Sequence, residues 1–263
     1  MESEFSEQNS LTVYRFPNLN GYTEIHHGVF TRLSGFSKGP FQGLNISTTV
    51  GDDPTDTAGN RRAISRYFDG NELVFIRQVH GSDIVCLKKD QKNGPAIHDE
   101  KTGDAMITNI LGKMLVVQVA DCQPVLLFDP GQKVVAAVHS GWRGSLRNII
   151  GKTVSSMADH FDCDPEQIIA GIGPSLGPCC AEFIHYRKEI PESFWKYQKT
   201  ENHFDFWELS RDQLQEAGIR ANNIHISGLC TKCRSDLFFS YRSQKITGRF
   251  AGAIGLKTGS NGS

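Results

Sequence analysis

Two neighbouring apolar segments constrain the fold of this chain more than any other part of its sequence. Residues 124–129 read PVLLFD and residues 133–138 read KVVAAV, and the turn sequence Asp129-Pro130-Gly131-Gln132 lies between them. Proline suits the second position of a β-turn and glycine the third, and short continuous apolar runs are typical of buried strands. The sequence therefore predicts an antiparallel hairpin in the core, followed directly by the polar and glycine-containing segment HSGWRG.

Four further apolar, β-branched segments predict additional strands. They are residues 73–79, 115–120, 167–173 and 223–228. Strands and helical patterns do not alternate as regular βαβ units, which favours an α+β sandwich of sheets covered by helices. No internal repeat or low-complexity linker divides the sequence. We therefore expect a single domain over residues 1–263, with residues 1–20 and 257–263 as peripheral tails.

Three helices are predicted between the strands. The first lies within residues 53–70, where Asp53 can cap the helix and Pro54 suits its first position. The second follows Gly144, because apolar residues recur at helical spacing from residue 146 to residue 157. The third is predicted to start at Ser210 as its N-cap and to end before Gly218.

The hairpin predicts a close approach of Cys122 and His139. If Asp129 pairs with Gln132, Cys122 lies directly across from His139, and directly opposed Cβ atoms are about 4.5–5.5 Å apart. A one-residue slip would break this opposition. Thiolate and imidazole are both good zinc ligands, and a catalytic zinc needs three protein ligands with a fourth position open. His80 is the natural third candidate, because residues 73–81 repeat the pattern of an apolar strand that ends in His-Gly.

Motifs along most of the chain resemble the YfiH family, also called the laccase-domain or multicopper polyphenol oxidase family and described as purine nucleoside phosphorylases. The matching segments are GVFTRLSG (28–35), GLNIS (43–47), VGDDP with NRR (50–62), RQVHGSDIV (77–85), GDAMIT (103–108), VADCQPVLLFD (119–129), AAVHSGWRG (136–144), GIGPSLGPCCAEF (171–183), CTKC (230–233) and FFSYRSQKITGRFAGAIGL (238–256).

The resemblance carries expectations about fold, metal and activity. It implies an αββα sandwich, and it assigns zinc to His80, Cys122 and His139, the same three residues that the spacing nominates. The implied reaction is phosphorolysis of adenosine, inosine and 5′-methylthioadenosine to the base and ribose 1-phosphate, with adenosine deamination as a side activity. Zn²⁺ is the expected cofactor, and Cu²⁺ is the alternative that the family's older name suggests.

Phosphorolysis requires a site for phosphate and for a departing purine. A guanidinium binds phosphate in a bidentate way, and Arg143 is predicted to lie at a helix N-terminus, where anions are also favoured. Three further arginines in family motifs are phosphate candidates, and the sequence does not rank them: Arg32, Arg61 and Arg62. Trp142 could stack on a purine, although tryptophan more often fills a core.

Proton transfer and substrate orientation have candidates of their own. Asp121, beside Cys122, and Asp104 could each act as a general acid or base, or could instead orient a ligating histidine. Asn45 could hydrogen-bond the substrate, but a turn-forming asparagine is an equal alternative. Cys179 and Cys180 are interpreted as structural.

Four other functions remain to be weighed. Two histidines and a cysteine also describe a blue-copper centre, but none of the nine histidines forms the H-x-H pairs of multicopper oxidases. Some relatives are linked to the editing of peptidoglycan precursors, and a non-catalytic binding module is also conceivable. The segments HDE (98–100) and CTKC resemble a base-deaminase zinc motif, yet no proline precedes Cys230 and the halves are far apart.

A structural zinc on Cys230 and Cys233 would need two more ligands, and no second C-x-x-C supplies them.

Composition limits the partners and the compartment. The net charge is −1 with both signs scattered, which argues against nucleic acid or an anionic membrane as a partner. The N-terminus lacks the features of a secretory signal, and no apolar run approaches the length of a spanning helix. Seven cysteines in a long chain suit reduced thiols. We expect a cytoplasmic monomer or homodimer that acts on small molecules, namely purine nucleosides and phosphate.

Overall fold

The chain folds into two six-stranded sheets packed face to face. The structure is a computed structural model, and it describes residues 4–88 and 101–258. In spatial order the first sheet contains β1 (Phe5–Gln8), β2 (Leu11–Tyr14), β3 (Ile25–Phe30), β14 (Phe250–Leu256), β7 (Lys113–Val119) and β4 (Glu72–Val74). The second contains β13 (Ile224–Ile226), β10 (Ile169–Ile172), β8 (Gln123–Asp129), β9 (Val134–Ser140), β6 (Ala105–Thr108) and β5 (Ile84–Leu87). A separate two-stranded ribbon joins β11 (Gln198–Thr200) and β12 (His203–Phe204).

Helices cover the outer faces of both sheets. They are α1 (Pro54–Tyr67), α2 (Trp142–Leu146), α3 (Ile149–Phe161), α4 (Tyr186–Glu189) and α5 (Phe206–Glu216). Short 3₁₀ turns span Gly39–Phe41, Pro165–Gln167, Glu192–Tyr197 and Ala221–Asn223. One apolar cluster fills the space between the sheets, a second joins α3 to the second sheet, and a third joins α1 to the first. The α+β class and the αββα layering predicted above are therefore confirmed.

The central hairpin forms as predicted, but its register differs. Asp129 pairs with Val134, and His139 pairs with Pro124 rather than with Cys122. The loop occupies residues 130–133, where Asp129 Oδ1 accepts the amides of Gly131 and Gln132, and Lys133 adopts a φ of 53°. The two-residue turn assumed from Pro-Gly was wrong because the aspartate side chain organises a longer loop.

Two of the three predicted helices have different bounds. Asp53 caps α1 as expected, by accepting the amide of Thr55. The second helix is split, because Asn148 adopts the left-handed conformation between α2 and α3 and caps α3. The third begins at Phe206 with Asp205 as its cap, whereas the Ser210 hydroxyl donates to the side-chain oxygen of Gln123.

The N-terminal residues described here are not a peripheral tail, contrary to expectation. Residues 5–14 supply β1 and β2, and Tyr14, Phe16 and Leu19 are buried between the sheets. At the other end, the Lys257 amide donates to the Glu24 carbonyl, and residues 259–263 lie outside the described residues. Among the described residues, none of the helices is both long enough and apolar enough to cross a membrane.

Candidate metal centre and its cleft

Three side chains from separate parts of the chain converge at one end of the sandwich. His80 lies in the loop between β4 and β5 and adopts a φ of 58°. Cys122 lies on the crossover that carries the chain from β7 in the first sheet to β8 in the second, and His139 lies near the end of β9. Cys122 Sγ is 3.8 Å from His80 Nε2, and one ligand atom from each residue lies within 4.8 Å of the others. The sequence-based grouping of these three residues thus holds, despite the changed register.

The register error did not separate Cys122 from the histidines. The two-residue shift kept each paired side chain on the predicted face of the sheet, but the ladder does not include Cys122. Cys122 precedes the first paired residue of β8, Gln123, so the crossover rather than the ladder brings its thiol to His139.

The Asp104 carboxylate hydrogen-bonds to both histidines of the candidate centre. It accepts Nδ1–H of His139 at 2.8 Å, and it also accepts the amides of His80 at 2.9 Å and Gly81 at 2.6 Å. The Asp104 carbonyl oxygen accepts the His139 amide at 2.7 Å. Because Nδ1 of His139 is engaged, Nε2 is the nitrogen left to bind a metal. Asp104 therefore acts as an orienting carboxylate, one of the two roles open to it from the sequence.

The electrostatics of the site favour an ionised thiol. Burial raises the pKa of Cys122, but the neighbouring His139 and His80 outweigh it and lower this pKa to about 6. Burial lowers the pKa of His139, but Cys122 and Asp104 outweigh it and raise this pKa to about 9. Burial likewise raises the pKa of Asp104, and hydrogen bonds from His139 and Gly81 hold it below its usual range. Thiolate is the form that binds metals.

The donor set fits a tetrahedral metal ion. For zinc with Zn–S of about 2.3 Å and Zn–N of about 2.05 Å, tetrahedral angles require an S···N separation of about 3.6 Å, close to the 3.8 Å observed. Gly141 keeps the space open, since a Cβ there would lie 2.9 Å from His80 Cδ2 and 3.1 Å from Cys122 Sγ. These three residues could therefore hold a metal with a fourth position open to the cleft.

The candidate centre lines a cleft of about 960 Å³. The cleft has apolar and aromatic walls: Ile76, Ala120, Trp142, Leu176, Phe183, Phe206 and Tyr241. Its charged residues are mostly cationic: Arg77, Arg143, Arg242, Lys245 and Arg249, with Asp121, Glu182 and Glu189 as the acids. A concave apolar site with a few polar groups is the usual setting for a small ligand.

Three of the residues proposed from sequence for catalysis or substrate binding line this cleft. Arg143 is exposed and stacks on Trp142, with its guanidinium carbon 4.2 Å from the ring. Trp142 in turn packs edge-on against Phe183 at 5.7 Å. Asp121 adopts a φ of 88°, and its two carboxylate oxygens accept the Thr231 hydroxyl at 2.7 Å and the Arg242 amide at 2.5 Å. These bonds occupy the Asp121 carboxylate and hold the crossover in place.

The other candidates lie away from the cleft. Asn45 is fully buried and serves as a loop clamp, since its Oδ1 accepts the amides of Ser47 and Arg249. Arg32 lies in a separate depression and stacks on Phe239. Arg61 stacks on Phe75 and donates to the Ile46 carbonyl, and Arg62 is exposed on α1.

Sequence reasoning missed three of the cations that line the cleft. Arg242, Lys245 and Arg249 come from the irregular segment that precedes β14. Arg249 is half-buried and lines the same cleft as Cys122. Burial lowers its pKa, although the Cys122 and Asp121 charges oppose this shift. The sequence did contain one indication of these cations, because all three lie within the family-matching segment 238–256. Nothing in the sequence, however, indicates that this segment folds toward the cleft.

Family comparison identifies close relatives over nearly the whole chain. Residues 26–257 match the family model described as multi-copper polyphenol oxidoreductase laccase. The purine nucleoside phosphorylase YlmD of Geobacillus stearothermophilus is 35% identical over 246 residues, which cover 88% of this chain and 89% of the relative. The purine nucleoside phosphorylase YfiH of Escherichia coli is 34% identical over 240 residues, which cover 86% of this chain and 91% of the relative.

Solved structures resemble this fold over a similar extent. The crystal structure of YlmD from Geobacillus stearothermophilus superposes with a TM-score of 0.84 at 32% identity, covering 97% of this chain and 99% of that one. The crystal structure of a hypothetical protein YfiH from Bacillus licheniformis gives a TM-score of 0.84 at 27% identity, with 96% and 99% covered.

Proposed function

Because this chain belongs to the multi-copper polyphenol oxidoreductase laccase family, we propose that it is a zinc-dependent purine nucleoside phosphorylase. Relatives at 34–35% identity that carry this activity in their names support the reaction class. The observation that carries the proposal is the convergence of His80, Cys122 and His139 on the floor of a cleft rich in arginine and aromatic residues. The substrates are adenosine, inosine or 5′-methylthioadenosine together with phosphate.

Cys122 Sγ, His139 Nε2 and a His80 nitrogen would hold the zinc ion. When bound there, the ion supplies Lewis acidity to a substrate atom at its open position. Asp104 fixes the His139 ring through Nδ1, and its bonds to the His80 and Gly81 amides fix the loop that carries the second histidine. Hydrogen bonds of this kind also make a ligating imidazole more basic.

Phosphate binds among the cations of the cleft, with Arg249 and Arg143 as its principal partners. In the reaction a phosphate oxygen forms a bond to C1′ of the ribose as the bond from C1′ to the purine nitrogen breaks. The bond's electron pair leaves with the base, which then takes up a proton. Guanidinium groups suit this step because they orient phosphate in a bidentate way. Arg249 is already oriented, since its Nη1 donates to the carbonyls of Thr247 and Gly248.

The aromatic wall formed by Trp142, Phe183 and Tyr241 receives the purine. Large aromatic surfaces bind planar bases by stacking, and Arg143 lies over the Trp142 ring. A base at this wall would lie beside both the metal and the cations. We also propose adenosine deamination as a side activity, for which zinc at this site would supply Lewis acidity toward a water molecule.

Other features support a single domain in the cytoplasm. The two sheets share one apolar core. All seven cysteines are free thiols, as expected in a reducing compartment.

Copper-dependent polyphenol oxidation is the alternative suggested by the printed description of the family. Two histidines and a cysteine can also hold copper. Within residues 4–88 and 101–258, however, the only cluster of at least three potential ligands that contains histidine is this one, which favours a mononuclear site.

Mass spectrometry of the products distinguishes these activities. Zinc-loaded protein is incubated with adenosine, with and without phosphate, under anaerobic conditions. Adenine and ribose 1-phosphate formed only with phosphate support the proposal, and inosine identifies deamination. A parallel aerobic incubation supplies a phenol and copper. Oxidation of the phenol there, with no nucleoside cleavage in the anaerobic incubation, would overturn the proposal. Cys122→Ala should abolish cleavage, while Cys86→Ala, outside the cleft, should not.

A further inference from the structure

Four cysteines form a second cluster that the proposed function does not use. Cys179 and Cys180 are adjacent in one loop, and Cys230 and Cys233 form a C-x-x-C segment in another. Cys233 Sγ is 3.6 Å from both Cys179 Sγ and Cys180 Sγ, and all four sulfur atoms lie within 4.8 Å of one another. The sequence offered no second C-x-x-C, so the partner pair for Cys230 and Cys233 was not found there.

The topology of the second sheet explains why these loops meet. β10 and β13 are parallel neighbours, so their carboxyl ends lie at the same edge of the sheet. The ladder continues past both strands as a parallel bridge between Ser175 and Cys230. The Ser175 amide donates to the Leu229 carbonyl, and the Thr231 amide donates back to the Ser175 carbonyl. Backbone pairing thus brings the two cysteine pairs together before any sulfur contact is considered.

The sulfur geometry distinguishes a single metal ion from other cysteine chemistry. A disulfide requires an S–S bond of about 2.05 Å, and both measured separations are far longer. Four sulfurs at about 2.3 Å around one tetrahedral zinc lie about 3.75 Å apart, close to the 3.6 Å observed. We propose that Cys179, Cys180, Cys230 and Cys233 bind a structural Zn²⁺ as a closed tetrathiolate site.

The surroundings of Cys230 suit a thiolate ligand. The amides of Cys233 and Gly177 donate toward its sulfur, and hydrogen bonds to an anion stabilise its charged form. The Gly177 position tolerates no side chain, since a Cβ would lie 2.7 Å from a Trp207 ring carbon and 3.1 Å from Cys230 Cβ. A closed four-cysteine shell is typical of structural zinc, whereas a catalytic zinc keeps one position open.

The second metal would connect the loops that form one wall of the cleft. Ala181, Glu182 and Phe183 follow Cys180 directly and line the cleft. Thr231, between the two cysteines of the other loop, donates to the Asp121 carboxylate, which precedes Cys122 in the chain. The tetrathiolate site therefore holds the Phe183 wall and the Cys122 crossover in a fixed relation.

Metal stoichiometry tests this inference. Wild type and three variants are purified under reducing, anaerobic conditions: Cys233→Ser, Cys179→Ser and Cys86→Ser. Elemental analysis then gives the number of zinc ions per chain in each protein. Cys179 and Cys233 are exposed, so these variants should fold, and Cys86 is a cysteine outside both clusters. We expect wild type and Cys86→Ser to bind two zinc ions per chain, and each cluster variant to lose one. Equal zinc in all four proteins would overturn the proposal.

The converse variant separates this site from the proposed catalytic centre. His80→Ala should lose the other zinc and keep the tetrathiolate one, so failure of the phosphorylase proposal leaves this measurement intact. X-ray absorption at the zinc edge of His80→Ala should then give sulfur ligands alone, at about 2.3 Å. Nitrogen or oxygen ligands in that spectrum, iron in place of zinc, or a disulfide between the two loops in anaerobically mapped peptides would each contradict the assignment.

Discussion

The Asp104 carboxylate accepts Nδ1–H of His139 at 2.8 Å and the Gly81 amide at 2.6 Å, and so connects both histidines of the candidate centre. His139 and Asp104 are both almost fully buried. One carboxylate therefore sets the orientation of a ring on β9 and the path of a loop that follows β4. Changes at Asp104 should affect metal binding without touching a ligand atom.

Asp104→Asn is expected to weaken zinc binding at the candidate centre by about 10- to 100-fold, the usual effect of losing an orienting carboxylate. The amide lacks the charge that favours Nδ1–H of His139 and offers one acceptor where two are used. Competition with a chelator of known affinity measures the change. Asp83→Asn, at an exposed carboxyl nearby, should leave affinity unchanged. Equal affinity in the Asp104 variant and wild type would refute this role.

Gly141→Ala should impair the same centre by crowding. The added methyl would lie within 3.1 Å of both His80 Cδ2 and Cys122 Sγ, so at least one ligand must move. We expect lower zinc occupancy and a fall in kcat of at least about tenfold, since displacements near 1 Å carry large kinetic costs. Gly21→Ala, where a methyl meets nothing within 4 Å, is the matched control. A fully active Gly141→Ala enzyme would show that the ligands are not crowded.

Arg249→Gln is expected to raise KM for phosphate at least tenfold, with a smaller effect on KM for the nucleoside. The guanidinium is half-buried in the cleft and already oriented by two carbonyls, and a neutral amide removes its bidentate charge. Initial rates over a phosphate series measure the change. Arg62→Gln, outside the cleft, tests one of the other sequence-based candidates. A phosphate effect confined to Arg62→Gln would reverse the assignment.

His27 should make the protein sensitive to acid. It is fully buried and accepts the Phe16 amide, and burial with Arg15 nearby lowers its pKa to about 3. The His27 imidazole takes up a proton near pH 6.5 in the unfolded state but only near pH 3 in the folded state. The contribution of neutral His27 to the free energy of unfolding is therefore fully present above pH 6.5 and is lost as the pH falls toward 3. The loss should be about 2 kcal/mol at pH 5.

Urea unfolding of wild type and His27→Gln at pH 8 and pH 5 measures this contribution. The glutamine can still accept the Phe16 amide but does not titrate, so the variant should lose about 2 kcal/mol less than wild type between the two pH values. His160→Gln, at an exposed site, should follow wild type. Parallel acid losses in wild type and His27→Gln would exclude His27 as the cause.

The sequence predicted those features that depend on local pattern. The apolar runs 124–129 and 134–138 predicted core strands, and Asp53-Pro54 predicted the start of α1. The grouping of the three candidate metal ligands was also predicted, because each follows an apolar run in the sequence and one of them, His80, directly precedes a glycine. The exact hairpin register failed, since the Asp129 side chain organises a loop longer than the Pro-Gly turn.

Features set by distant contacts were not accessible from the sequence. Residues 1–10 are acidic and polar in sequence, yet residues 5–8 pair with residues 11–14 as β1 and β2 at the edge of the first sheet. Cys179 and Cys230 meet only because β10 and β13 are parallel neighbours. Asn45 matched a family motif, but its side-chain oxygen accepts the backbone amide of Arg249 and so holds a loop rather than facing the cleft. Each of these depends on which segments become neighbours, and no local pattern encodes that.

Only three residues, 120–122, carry the chain from β7 in one sheet to β8 in the other. A link this short prevents the layers from sliding at that edge, and a metal shared by Cys122 and His139 would tighten the restraint. Any widening of the cleft must therefore come from the surrounding loops, such as the one that carries Phe183, rather than from separation of the two sheets. This restrained edge of the sandwich is then also the edge that carries the candidate metal centre.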